Sequence, residues 1–135
     1  MAVTMQGFAK REHTLNAPAT FTNADVGTVC ALDTSAANTV KAAADGDVIL
    51  GLVEQVEDLR SQAQGVLATV AFEFGARVAY DGTLAVGDYV VAAGSGKVRK
   101  VKAAGDSSTD TIPAGVVLPR VFEVDTTGKT AVIVK

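Results

Sequence analysis

The sequence contains very few of the residues on which most active sites are built. Among its 135 residues there is one cysteine, Cys30, one histidine, His13, and no tryptophan. A lone cysteine cannot close a disulfide within the chain, and a lone histidine cannot supply a histidine-based metal cluster. Cys30 also has no base beside it in the sequence that would make it a nucleophile. We therefore expect a protein that is not an enzyme and that holds no metal and no cofactor.

Long apolar runs and a surplus of positive charge are also absent. No segment reaches the length of about 18 apolar residues that indicates a membrane span, and the first residues lack the apolar core of a signal peptide. The net charge is -3, so the molecule as a whole has no electrostatic attraction for polyanions. These features predict a protein made in a reducing cytoplasm that binds neither membranes nor nucleic acid.

What the sequence does contain is a large share of small apolar residues. Hydrophobic residues make up 48% of the chain and aromatic residues only 5%, which favours strands packed through valine and alanine over large aromatic pockets. The segment 66–74 alternates as a half-buried strand does, since Val66, Val70 and Phe74 share one face. We predict one all-β domain, a small β-barrel or sandwich of about eight to nine short strands.

An internal repeat is the strongest long-range pattern. Residues 26–74 and 86–135 resemble each other, and each copy is predicted to form four short strands. The sequence therefore predicts that a single β domain, residues 16–135, contains an internal duplication. The matching segments are Val26-Gly27 with Val86-Gly87, Lys41 to Asp45 with Lys102 to Asp106, Gly51 with Gly115, and Gly65 with Gly128.

Turn signals divide the predicted strands. Asp81-Gly82 lies between two apolar runs and predicts a hairpin, because both residues tolerate a positive φ. Gly94-Ser95-Gly96 predicts a second hairpin turn. The segment 53–64 has apolar residues at helical spacing, which makes a short helix the alternative there, but we predict a strand.

The first fifteen residues lie outside both copies of the repeat. They have no turn partner in the sequence, and we predict an extended N-terminal arm over residues 1–15. One interpretation is a frayed terminus. The other is an arm that adds a strand to the sheet edge of a neighbouring subunit and inserts Phe8 in a pocket. The candidate contact residues of the arm are Val3, Met5, Phe8, Lys10 and Arg11.

Two short motifs between residues 94 and 102 suggest phosphate or nucleic-acid binding when read alone. The GSGK motif does not match a phosphate-binding loop, because Val91 stands where the first glycine is required and Val98 follows Lys97. The basic run that follows has no aromatic residue interleaved with it for stacking on bases. Cations on an exposed strand commonly protect a sheet edge from aggregation. Lys97, Arg99 and Lys100 are therefore predicted to mark either a protected edge or a contact with an acidic surface.

Four segments carry a resemblance to a known family. They read AVGDYVV, GSGKV, IPAGVVL and GKTAVIVK, and all lie in the second copy of the repeat. In a compact β domain rich in alanine, valine and glycine, this layout resembles the head-decoration, or capsid cement, proteins of tailed bacteriophages. The resemblance covers roughly residues 15–135.

The resemblance implies a structural protein of the virion with no catalytic residues. Such a protein is made in the host bacterial cytoplasm, attaches to the outside of the expanded head and clamps neighbouring major capsid subunits. It implies the major capsid protein as partner and self-association as a trimer, although the duplication leaves a dimer or monomer open. By position, the apolar segment from Val3 to Phe8 is similar to the arms with which decoration proteins engage the capsid.

Two other functions are compatible with the same sequence. The first is another phage structural β protein, such as a tail component. The second is a ligand-binding or enzymatic β-barrel, for which the carboxylates between Asp45 and Asp58 form a weak candidate site. A pocket with converging polar groups would favour that second alternative.

Overall fold

The computed structural model describes residues 11–135, apart from Ala104 and Ser107. It confirms an all-β fold, in which ten strands form three antiparallel sheets with two short 3-10 turns, at Asn23–Asp25 and Arg60–Gln62. None of these sheets closes into a barrel, and the arrangement is sandwich-like. The strands are β1 (Glu12–Ala17), β2 (Val29–Leu32), β3 (Val40–Ala42), β4 (Gly51–Asp58), β5 (Val66–Ala71), β6 (Gly75–Ala79), β7 (Val90–Gly94), β8 (Lys97–Lys100), β9 (Arg120–Asp125) and β10 (Thr130–Val134).

The two halves of the chain have the same strand order. In the first half, residues 11–74, the sheet runs β1-β5-β4-β2-β3. In the second half, residues 75–135, a three-stranded sheet runs β6-β10-β9, and the β7-β8 hairpin joins β9 through an isolated antiparallel bridge between Tyr89 and Arg120. The order β6-β10-β9-β7-β8 therefore repeats the order of the first half.

The hydrogen bonds of the two halves agree residue by residue. The amide of Gly27 donates to Val53 O over 2.8 Å, and the amide of Gly87 donates to Val121 O over the same 2.8 Å. The pairing of β4 with β5 passes over Glu54, and the pairing of β9 with β10 passes over Phe122. Both halves therefore carry a β-bulge just after this point. A bulge is a specific local feature, so its recurrence makes Val53 and Val121 equivalent positions.

The tight turns also recur, and they refine the matching made from sequence. Ala44–Asp47 and Ala103–Asp106 are equivalent turns, in each of which the aspartate side chain accepts a hydrogen bond from the alanine amide, over 2.9 and 2.8 Å. The partner of Asp106 is therefore Asp47 and not Asp45. Likewise Gly51, two residues before Val53, corresponds to Pro119 and not to Gly115.

The repeating unit is wider than the sequence indicated, because each half begins with an additional edge strand. β1 pairs with β5 and β6 pairs with β10, with Leu15 opposite Ala68 and Val78 opposite Ala131. The boundary of the predicted arm at residue 15 is therefore wrong, since residues 12–15 belong to the sheet of their own chain. Their partner strand is more than fifty residues away in sequence, where no local turn signal indicates the pairing.

Of the three turn and segment predictions, the turn at Gly94-Ser95-Gly96 is confirmed and the strand over 53–64 is confirmed in part. Gly94-Ser95-Gly96 does turn β7 into β8, and the segment 53–64 is extended as far as Asp58 before a single 3-10 turn. The hairpin predicted at Asp81-Gly82 is wrong. β6 pairs with β10 and β7 pairs with β8, so this turn connects strands that are not neighbours, although Gly82 has the expected positive φ of 75°.

The buried side chains form two clusters. The smaller one lies within the first half, and the larger one contains residues of both halves and joins them into one packed unit. The smaller cluster comprises Phe21, Cys30, Val40, Val53, Val66, Ala68 and Val70. In the larger cluster, the second half contributes Val90, Val98, Val121, Ala131 and Ile133, the equivalents of five of those residues.

The sheet of the first half is buried on both faces near the junction of β2, β4 and β5. Val53 lies in the smaller cluster, whereas its neighbour Leu52 lies in the larger one. Gly51 allows the closest approach there, because a Cβ built on it would lie 2.4 Å from the carbonyl oxygen of Ala71. Since backbone cannot yield as a flexible side chain can, only glycine fits at this position.

We expect Gly51→Ala to destabilise the protein, because the added methyl group forces β4 away from β5. The cost should be at least about 2 kcal/mol in the free energy of unfolding, as for other overpacked cores. Gly75→Ala is the matched control, since its Cβ would meet Val134 Cγ2 at an ordinary 3.6 Å. Denaturant unfolding of both variants tests this, and equal stability would contradict the account of Gly51.

Candidate interaction surfaces

The cationic strand β8 brings its basic residues to carboxylates from several parts of the chain. Lys97 Nζ lies 3.2 Å from Asp81 Oδ1, and Lys100 Nζ lies 3.4 Å from Asp88 Oδ1. Arg99, between them, makes the most extensive contacts of the three. The cations that the sequence presents as one basic patch thus each have an acidic partner within the fold.

Arg99 holds together segments from both halves. Its Nε donates to Asp45 Oδ1 over 2.6 Å, and its two terminal nitrogens donate to the two carboxylate oxygens of Asp110 over 2.8 and 2.7 Å. Asp45 belongs to the turn between β3 and β4, whereas Asp110 belongs to the longer connection between β8 and β9. Only 13% of the Arg99 side chain and 8% of the Asp110 side chain are exposed. Arg99 is therefore a structural residue in this protein rather than an open surface cation.

The ion pair has a clear electrostatic consequence for Asp110. The hydrogen bonds from Arg99, opposed in part by burial and aided by the Lys102 amide, lower the pKa of Asp110 from 3.8 to about 2. The ionised carboxylate is thus favoured by the folded state. Because the folded pKa lies below the unfolded one, this contribution to stability is complete above pH 3.8 and is lost as the pH falls towards 2.

We expect Asp110→Asn to lower the free energy of unfolding at neutral pH by about 2 kcal/mol, since the amide leaves Arg99 without its bidentate partner. The variant should also lose less stability than the wild type between pH 4 and pH 2. Asp81→Asn is the control, because its pair with Lys97 is half exposed and should contribute less than about 1 kcal/mol. Chemical denaturation across this pH range tests both, and parallel pH profiles would contradict the role of Asp110.

Lys97 and Lys100 remain candidates for a contact with an acidic partner. Their side chains are 45% and 61% exposed, so a partner could compete for them with Asp81 and Asp88. β8 pairs with β7, and its Val98 forms a parallel bridge with Tyr80, the residue that follows β6. The sheet-edge and the contact interpretations both stay predictions.

Four of the five predicted arm residues, Val3, Met5, Phe8 and Lys10, lie outside the described part of the chain. The fifth, Arg11, lies at the start of β1. Its carbonyl accepts a hydrogen bond from the Phe72 amide over 2.7 Å, and its Nε lies 3.5 Å from Glu73 Oε1. Among the described residues, hydrogen bonding to the sheet therefore extends to Arg11.

A mainly apolar cleft of about 870 Å³ opens beside Arg11. On one side are Leu32, Ile49 and Phe72 of the first half, and on the other are Val116 and Val117 of the connection between β8 and β9. Leu32 and Val117 are 50% and 66% exposed. The connection that forms the second side runs from Asp106 to Val121, whereas its counterpart in the first half runs only from Asp47 to Val53. The cleft therefore has no equivalent in the first half.

The carboxylates from Asp45 to Asp58 do not converge on one site. Asp45 binds Arg99, and Asp58 accepts two hydrogen bonds from the side chain of Arg60, of which the shorter is 2.6 Å. Within the residues that the structure describes, no group of three histidine, cysteine or acidic side chains is arranged to hold a metal. Burial raises the pKa of the Cys30 thiol to about 12, which leaves it unreactive at neutral pH.

A surface that the sequence analysis missed lies on the outer side of β9. Tyr89 and Phe122 are 50% and 61% exposed, and Val86 beside them is 68% exposed. The guanidinium of Arg120 lies over the Tyr89 ring, 5.3 Å from its centroid, and Arg120 Nε donates to Gly87 O over 3.1 Å. The repeat could have indicated one residue of this surface, because the match of Val26-Gly27 with Val86-Gly87 places Tyr89 where the first half has Val29. The equivalence of Arg120 with Leu52 follows only from the strand register.

Comparison of the chain with protein-family models finds no match, and comparison with curated proteins finds none either. In the part of the chain that the structure describes, no helical segment has the length and apolar character needed to cross a lipid bilayer.

Proposed function

We propose that this chain is a structural protein of a tailed bacteriophage that binds the outer surface of the expanded head and cements neighbouring major capsid subunits. The observation that carries the proposal is the placement of the segments that resemble decoration proteins. AVGDYVV contains the turn at Ala85–Asp88 and the start of β7, and GSGKV forms the β7-β8 hairpin. IPAGVVL belongs to the connection before β9, and GKTAVIVK contains β10.

Two of these segments lie on elements that recur in the first half, since the β7-β8 hairpin corresponds to β2-β3 and β10 corresponds to β5. The connection that contains IPAGVVL is longer than its counterpart there. A cement protein must keep its shape while many copies share a load across a shell, so that weak contacts add through repetition. Two halves that share one buried cluster and are tied by Arg99 suit this task. The same features support a scaffold for contact with other proteins rather than a mobile catalytic domain.

The N-terminal segment is the proposed contact with the major capsid protein. It carries Val3, Met5 and Phe8, and a deletion of residues 1–10 leaves in place every paired residue of β1, which begins at Glu12. This boundary matters for the experiment. A deletion that reached Glu12 would also remove the pairing with Ala71 and could weaken binding by damaging the fold.

Purified full-length chain should co-sediment stoichiometrically with expanded, undecorated heads of the phage that encodes it. Deletion of residues 1–10 should weaken this binding at least about tenfold, because apolar anchor residues usually dominate such interfaces. The thermal unfolding midpoint of the truncated chain serves as the control and should stay close to that of the full chain.

The two parts of the proposal fail separately in this experiment. Absence of binding by the full chain to its own heads would overturn the decoration function. Undiminished binding by the truncated chain would overturn only the role of the N-terminal segment and would place the contact on the described part of the chain.

A further inference from the structure

The apolar cleft beside Arg11 concentrates the exposed apolar surface of the molecule. Seven large hydrophobic side chains are exposed in the described residues, and three of them, Leu32, Val116 and Val117, line this cleft. Ile49 also lines it and is fully buried as part of the larger cluster. With its volume of about 870 Å³ and its apolar lining, the cleft resembles small-molecule sites, which span roughly 300 to 1,000 Å³.

The walls of the cleft are held in place by local contacts. The Phe72 ring stacks on His13 with ring centroids 4.9 Å apart, and the Phe72 amide donates to Arg11 O over 2.7 Å. On the opposite side, the Val116 amide donates to Pro113 O over 3.4 Å and closes a turn. Both walls are therefore formed before a ligand arrives, which is usual for small-molecule sites and reduces the entropy lost on binding.

Five charged side chains line the cleft, and four of them pair with one another. Arg11 Nε lies 3.5 Å from Glu73 Oε1, and Lys41 Nζ lies 3.4 Å from Asp47 Oδ2. The fifth is Lys135, which has no aspartate or glutamate carboxylate within 4.0 Å among the residues that the structure describes. The side chains of the cleft thus carry one net positive charge, although the net charge of the chain is -3.

Lys135 is partly buried at the cleft and is held by neutral groups. Its Nζ donates to Ile49 O over 3.1 Å and to Leu50 O over 2.6 Å. An ammonium group has three donors, so one is left without an acceptor among the described residues. Burial lowers the pKa of Lys135, and Cys30 opposes this effect only in part. An anion bound beside the ammonium group would stabilise its charged form.

We propose that the cleft binds an amphipathic carboxylate, with an alkyl tail against its apolar side chains and the carboxylate at Lys135. The inference is independent of the proposed role on the phage head. Charge attraction selects an anion over a neutral or cationic ligand, because burial strengthens the interaction between unlike charges. One negative charge on the ligand matches the one unpaired cation. Phe72 is the single aromatic residue of the lining, so aliphatic side chains provide most of the contact for a tail.

The backbone of the cleft favours a small ligand over a peptide strand. A strand that docks on a sheet edge binds mainly through main-chain hydrogen bonds. Here the carbonyls of Ile49 and Leu50 already accept from Lys135, and the Leu50 amide donates to Cys30 O over 2.9 Å. These backbone groups are therefore not free to pair with a peptide, and the occupant must be bound by side chains.

Titration of the isotope-labelled full chain with octanoate, followed by amide chemical shifts, should give saturable binding with shifts concentrated at Leu32, Ile49 and Val117. Octanol and octylammonium have the same tail and should bind at least about fivefold more weakly, because they lack the anion. Hexanoate, which is shorter by two methylene groups, should bind about tenfold more weakly than octanoate. This series of ligands requires no variant of the chain.

Lys135→Gln should weaken octanoate binding at least about fivefold and leave octanol binding unchanged. Lys129→Gln is the matched control, because Lys129 Nζ also donates to a backbone carbonyl, Gly82 O over 2.8 Å, but lies outside the cleft. Val117→Asp should weaken the binding of both ligands by placing a charge on the apolar wall. Phe122→Asp is its control, since Phe122 is similarly exposed elsewhere. Thermal unfolding shows whether each variant remains folded.

Absence of octanoate shifts at the cleft would overturn the proposal. So would equal binding of octanoate, octanol and octylammonium, or octanoate binding by Lys135→Gln as tight as that by Lys129→Gln. If octanoate binds only after deletion of residues 1–10, the N-terminal segment occupies the cleft and the proposal is wrong. None of these readouts uses phage heads, so failure of the decoration function leaves them unaffected.

Discussion

The fold depends on the burial of one sheet on both of its faces. At the junction of β2, β4 and β5, Val53 faces the core of the first half and Leu52 faces the second half. Such packing needs small side chains and a close backbone approach, which Gly51 provides. The abundance of valine, alanine and glycine suits this packing, in which Phe21, Phe74 and Tyr80 are the buried rings among the described residues.

The contact between the halves is both apolar and polar. The shared cluster supplies most of the buried surface, and the Arg99 pairs with Asp45 and Asp110 fix the turn of one half against a connection of the other. Apolar burial is not directional, whereas a bidentate arginine pair is. Together they give the two halves one relative position.

The two halves share a strand order but differ at surfaces that a partner could use. Equivalent positions hold the buried Val29 and Leu52 in the first half and the exposed Tyr89 and Arg120 in the second, although Val91 on the same face as Tyr89 is buried. The longer connection around Val117 gives the second half one side of a cleft that the first half does not form. These candidate contact surfaces thus lie where the halves differ. The hydrogen bonds of Gly27 and Gly87 and the two β-bulges, which shape the fold, recur in both halves.

The sequence by itself determined the all-β class, the repeat and the β7-β8 hairpin, because alternation and turn residues act over a few neighbouring positions. Only the tertiary structure decided that β1 belongs to the sheet and that Asp81-Gly82 joins strands that do not pair, since the β1-β5 and β6-β10 pairings link residues 49 to 59 positions apart. It also decided the role of Arg99. A run of cations has the same sequence pattern whether its side chains face solvent or carboxylates. Which of the two they face depends on where the fold places turns that are distant in sequence.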